Sequence, residues 1–186
     1  MNKAVLISIR PKWCELIASG KKTIEVRKTR PQIKTPFKCY MYMRAYHWAF
    51  SLLRQYEMDD LADRLMHETG KVIGEFVCDE IIEDRHGENA LLFENKGWVP
   101  FDVQKKYAPK QILYGWHISA LKVYDEPKEL SEFTPCCEFM LDEKQCDYRK
   151  VKCLNQQDSF IEKDGCNCLN FVRRPPMSWC YVEELP

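Results

Sequence analysis

No run of about 18 apolar residues occurs in this sequence, so it offers no apolar membrane-spanning helix. The apolar stretch near the N-terminus stops at Arg10 and is too short for a secretory leader. A cytoplasmic protein with no membrane partner is therefore expected. A reducing cytosol disfavours disulfides, so the ten cysteines are expected as thiols or metal ligands. None of them forms the C-x2–4-C pair usual in structural zinc sites. The four histidines (His47, His67, His86 and His117) are scattered, and no pair stands ready for acid–base chemistry. Internal repeats and low-complexity tracts are absent. Net charge is absent too: 28 basic residues balance 28 acidic ones, which taken whole argues against a nucleic-acid partner. What remains is a chain of 186 residues, 45% apolar and 30% charged, suited to one globular domain with or without an appendage.

The zero charge is a sum of opposites. Residues 1–44 hold eleven basic residues against Glu15 and Glu25, a net +9, and the remaining 142 residues carry −9. Such asymmetry points to a polyanion partner or to a solvated basic face. Cysteine is uneven as well: seven of the ten fall after residue 130.

Residues 4–9 read as a buried β-strand. Pro11 can open a helix, Trp13, Leu16 and Ile17 share one of its faces, and Gly20 stops it. Thr23 to Arg27 alternates polar and apolar, which predicts a strand with Ile24 and Val26 toward the core and Thr23, Glu25 and Arg27 on the other face. Further strands are expected at 38–44, 71–83, 112–118 and 120–124, with Gly74 marking a bulge or a close backbone approach. Helical spacing of Leu52, Leu53, Tyr56, Leu61, Leu65 and Met66 predicts a helical insertion at about 47–69. Residues 84–111 read as polar and mixed. About six strands with few helices suggest a mainly β, α+β fold built on a small barrel, with an irregular extension from residue 125.

The strongest local pattern is Gly20-Lys21-Lys22-Thr23-Ile24-Glu25-Val26-Arg27. Lys22, Glu25 and Arg27 lie near one open end of a strand, where opposite charges can fix each other's geometry. A carboxylate held between two cations can accept hydrogen bonds from a base edge, and the cations can hold phosphate. The same residues also suit a surface ion-pair ladder.

Gly20-x-Lys22-x-x-Glu25-x-Arg27 resembles the G-x-K-x-x-E-x-R signature of the ASCH domain family, in the PUA-like superfamily. The flanks match as well: Arg10-Pro11-x-Trp13 precedes it, and Val72-Ile73-Gly74-Glu75-Phe76 and Tyr114-Gly115-Trp116-His117-Ile118 follow. The resemblance covers roughly residues 3–124, leaving 125–186 as a cysteine-rich extension packed on the barrel. The whole chain is similar to ASCH proteins of bacterial genomes and prophages that end in an Arg-Pro-Pro-x-Ser-Trp segment. It implies a PUA-like β-barrel with a cleft at the signature, and RNA or a nucleotide as partner. Lys22, Glu25 and Arg27 would line that cleft, with Arg10, Trp13, Lys21 and Thr23 around it. Tyr40, Tyr42 and Trp116 are candidates for base stacking, or for plain core packing.

One branch of the family is enzymatic, removing the acetyl group from N4-acetylcytidine with a Lys, a Thr and a Glu. By that resemblance Lys22, Glu25 and Glu75 would be the catalytic set, although Glu25 stands where that branch has its Thr, and a carboxylate does not replace an activated hydroxyl. A third reading is an adaptor in which Cys137, Cys146, Cys153 and Cys168 bind a structural zinc and the extension binds a protein partner. Arg173 and Arg174, before Pro175-Pro176, either return charge to the cleft or pin the C-terminal segment through Trp179.

Overall fold

The computed structural model describes residues 2–45, 55, 58–109, 112–136, 172 and 174–186. Its strands are β1 (Lys3–Ile9), β2 (Ile24–Arg27), β3 (Phe37–Met43), β4 (Val72–Asp84), β5 (Leu113–Lys128) and β6 (Trp179–Glu183). The helices are α1 (Pro11–Ala18), α2 (Asp59–Glu68), α3 (Ala90–Asn95) and α4 (Phe101–Tyr107), with a 3-10 turn at Leu130–Glu132.

Six consecutive buried residues in β1, apolar except for Ser8, show that both of its faces are covered. Val5, Ile7 and Ile9 join a core with Cys14, Ile17, Met41, Phe76 and Trp116. Ala4 and Leu6 join a second one with Tyr40, Tyr42, Val72, Phe133 and Val182. A third core, made of Ile24, Val26, Phe93 and Leu113, lies between β2, β5 and α3.

The strands form one mixed sheet in the order β2-β5-β4-β3-β1-β6. Only β1 and β3 run parallel; the other neighbours are antiparallel. The α+β class and the six strands agree with expectation, but closure differs, since β2 and β6 remain sheet edges with no ladder between them. A side chain spans that seam. Arg27 on β2 donates through Nη2 to the Ser8 carbonyl of β1 at 2.6 Å, and through Nη1 to Ser178 Oγ, just before β6, at 3.4 Å.

Two expected late strands are one. β5 runs through residues 113–128, with Ala120 at φ +45 and shifts in its register with β4 that absorb the irregularity. The sixth strand is instead β6, which pairs with β1 from Lys3↔Glu183 to Ile7↔Trp179. A boundary drawn at residue 124 therefore falls inside a strand, and residues 179–183 belong to the sheet. Of the predicted insertion, α2 begins after Met58 and stops before Gly70, at φ +83. Residues 46–54 and 56–57 lie outside the described residues, as do Cys137, Cys146, Cys153 and Cys168.

Gly97 sits where the chain turns from α3 back onto β2. A Cβ there would lie 2.5 Å from the Phe93 carbonyl oxygen and 2.9 Å from a Val26 methyl carbon. The first neighbour is backbone and cannot yield cheaply. Gly97→Ala is expected to destabilise the protein by about 1–3 kcal/mol, the usual range for overpacking a close contact. A lowered thermal midpoint would register it, and an unchanged one would contradict it.

Candidate functional site

Helix α1 ends at Ala18 and is followed, after the Ser19 cap, by Gly20, whose φ of +72 is freely available only to glycine. The Gly20 amide donates to the Ile17 carbonyl and the Lys22 amide to the Leu16 carbonyl, which turns the chain sharply back along the helix. Lys22 is thereby carried inward rather than to the surface, and it is only 2% exposed. Its ammonium donates to the Ile24 carbonyl at 2.8 Å and to the Gly97 carbonyl, and it pairs with Glu25 Oε2 at 3.2 Å. Arg27 Nη2 pairs with Glu25 Oε1 at 3.0 Å. Both carboxylate oxygens are therefore engaged, in a buried Lys–Glu–Arg triad. Burial holds the Lys22 ammonium below the usual lysine range, and Glu25 partly offsets this.

Ile24 and Val26 point to a core, as expected, but the opposite face of β2 is buried as well. Glu25 pairs in register with Trp116, so the two share the face that meets the largest core. The core that Ile24 and Val26 join is the separate one under α3. All four strand residues are buried. The alternation read from the sequence is real, a helix covers the face that the rule assigned to the core, and the charged face turns inward as well.

The loop after α3 is clasped onto the signature. Thr23 and Ile24 both donate their amides to the Lys96 carbonyl, at 3.0 and 3.2 Å. Lys22 reaches the Gly97 carbonyl, and Trp98 Nε1 donates to the Lys21 carbonyl at 2.9 Å. These four bonds join residues 96–98 to residues 21–24. Gly97, Trp98, Ser8 and Ser178 escaped the sequence reading, since nothing in their spacing links them to residue 22. Tyr107 had a weak signal, the Lys105-Lys106-Tyr107 run.

Around this frame, Arg10, Lys12, Lys21, Lys28 and Arg30 are exposed, and Trp13 and Thr23 are half-buried. Basic groups alternate with rings there. Lys12 and Lys22 lie 5.1 and 5.2 Å from the Trp13 ring centre, Lys28 lies 4.5 Å from that of Tyr107, and the Arg30 guanidinium 6.0 Å from that of Tyr114. Burial raises the Tyr107 phenol pKa, while Arg27, Glu25 and Arg10 are near enough to act on it.

Three stacking candidates are core residues instead. Tyr40 is 0% exposed, packs edge-on to Phe133 at 4.9 Å, and accepts the Leu185 amide on its hydroxyl. Tyr42 packs in the same core. Trp116 is 0% exposed and lies between Phe37 and Trp179, with ring centres at 6.0 and 6.1 Å. None offers a free face to a base. Trp179 pins the C-terminal segment against that ring, and its Nε1 donates to Thr29 Oγ1 at 3.0 Å.

Glu75 does not join the signature. It accepts from the Tyr124 hydroxyl at 2.6 Å and pairs with Lys38 at 3.5 Å, groups that touch neither Lys22 nor Glu25. The set Lys22, Glu25 and Glu75 is thus not assembled, and the Lys22 ammonium is surrounded by three acceptors. His117 Nδ1 lies 2.6 Å from Asp79 Oδ1, a strand-surface pair. A cleft of about 260 Å³ opens beside α1, between Glu15, Arg64, His67 and Asp125, and excludes all three signature side chains. Among the described residues, no three His, Cys, Asp or Glu side chains are grouped to hold a metal.

A family model described as ASCH domain matches residues 7–150, well over half of the chain. A crystal structure of a mutant ZmASCH protein from Zymomonas mobilis aligns with a TM-score of 0.50 at 14% identity, over 97% of this chain and 89% of that one. A crystal structure of ASCH from Zymomonas mobilis aligns with a TM-score of 0.46 at 16% identity, over 97% and 88%. At 14% identity, the likeness to the first of these is one of fold. No curated protein sequence matches this one significantly.

Proposed function

The chain belongs to the ASCH domain family, and from that premise we propose that it binds RNA or a nucleotide through the basic face around Gly20–Arg27. The observation that carries this reading is the interleaving of cations and rings at the signature: Lys12 with Trp13, Lys28 with Tyr107 and Arg30 with Tyr114. Lysine and arginine hold phosphates, and aromatic rings accept bases, so this mixture suits a nucleotide chain. The buried triad serves as the rigid support. It fixes β2 through Lys22 against the turn after α1 and the Gly97 loop, and through Arg27 against β1 and the segment before β6, so the exposed residues at both ends of β2 keep their places.

The test uses exposed residues, because removing Lys22 or Arg27 would disturb the fold as well as the ligand. Fluorescence anisotropy with a short labelled RNA is expected to show binding at low salt that weakens as salt rises. The Lys12→Ala/Lys28→Ala/Arg30→Ala variant is expected to bind more weakly. Its log–log salt slope should be shallower by about 0.7 for each phosphate that the variant no longer neutralises. Undetectable binding at low salt, or a variant indistinguishable from wild type, would refute the reading.

A further inference from the structure

Residues 96–107 carry a feature that the signature does not account for. Trp98, Phe101 and Tyr107 are 44%, 45% and 37% exposed, three large rings at the surface within ten residues. Basic side chains accompany them: Lys105 Nζ lies 4.3 Å from the Phe101 ring centre and Lys28 Nζ 4.5 Å from that of Tyr107. The segment's single acid, Asp102, pairs with Lys106 at 3.7 Å. Trp98 adopts φ +55, a left-handed conformation unusual for a bulky side chain. Its indole N–H is tied to the Lys21 carbonyl at 2.9 Å. A strained backbone that holds a half-exposed indole in one fixed place is not a device for packing a core.

The two ends of the segment meet the two ends of the signature. Trp98 is fastened at Lys21, and Tyr107 lies under Lys28. We propose that residues 96–107 form a stacking platform for single-stranded RNA, with Trp98, Phe101 and Tyr107 receiving bases and Lys21, Lys28 and Lys105 neutralising the phosphates between them. The proposal rests on the RNA reading of the signature and extends it to a second element. A single strand supplies π-faces to the rings and negative charge to the lysines together. A duplex hides its base faces, and an apolar protein partner would leave the lysines beside the rings without counter-charge.

A fluorescein-labelled ten-nucleotide oligouridine is the probe, read by anisotropy with the full chain. Trp98→Asn removes the ring while keeping a residue that tolerates the left-handed backbone. Trp98→Asn, Phe101→Leu and Tyr107→Leu are each expected to weaken binding by about 5- to 150-fold, with the salt slope unchanged. Tyr107→Phe keeps the ring and is expected to stay near wild type. Lys28→Ala and Lys105→Ala should instead each flatten the slope by about 0.7. A duplex of equal length should compete poorly. Thermal midpoints show whether Trp98→Asn remains folded; if it does not, Phe101→Leu and Tyr107→Leu carry the test. Should wild type bind while the ring variants bind within twofold of it, or should the duplex compete equally, the platform is refuted and the signature reading stands. If wild type binds no RNA, both fail.

Discussion

Glu25→Ala is expected to lower the unfolding free energy by about 3–5 kcal/mol, the usual range for removing one member of a buried ion pair. Among the described residues, Glu25 is the only carboxylate that Lys22 and Arg27 contact, and all three side chains are nearly sealed from water. Alanine would leave two buried cations facing each other without the charge that separates them. Glu25→Gln should lose less, because an amide oxygen can still accept from one of the two. Urea unfolding followed by circular dichroism reads the difference directly. A change below about 1 kcal/mol for Glu25→Ala would mean that water reaches the triad, since exposed pairs contribute no more than that. The same measurement decides how the signature is best understood. A large loss makes its three charged residues primarily an internal brace. Contact with a ligand then belongs chiefly to the exposed residues around them.

Trp116→Ala should be of similar size, about 3–5 kcal/mol, as expected for truncating a fully buried large aromatic. The ring is 0% exposed and meets Phe37 edge-on at 81°. Its other neighbour, Trp179, is the first residue of β6, so the loss would also loosen the C-terminal segment. A stacking role for Trp116 predicts something else: RNA affinity would fall while the unfolding midpoint stayed in place. Measuring both on the same preparation separates the two, and a midpoint unmoved by Trp116→Ala would overturn the core assignment.

Much of the scaffold was legible because its signals are local. The run of residues 4–9, the helix opened by Pro11 and stopped by Gly20, and the alternation in 24–27 each rest on a few neighbouring side chains. What could not be read was how these pieces meet. Alternation tells which residues share a face, not which face is covered; β2 is buried on both sides because Phe93, nearly 70 residues away, packs on one of them. Tyr40, Tyr42 and Trp116 have the residue types of a stacking surface, and their burial depends on strands from elsewhere in the chain. Trp98 shows the opposite failure. In a stretch that looked merely polar and mixed, its value comes from a hydrogen bond to Lys21 and from a backbone angle that no sequence pattern announces.

The pairing of β1 with β6 bears on how the chain reaches this structure. β1 is synthesised long before β6, yet the edge that it does not share with β3 is paired chiefly by residues 179–183. Until residue 183 has emerged, that edge presents unpaired amides and carbonyls, flanked by one of the most apolar stretches of the chain. Contacts separated by such a length of sequence form slowly, because the intervening chain must be ordered before they give any return. Nascent chains paused before residue 179 are therefore the forms most open to wrong pairing with one another, and the ones for which a chaperone that shields bare strand edges would matter most.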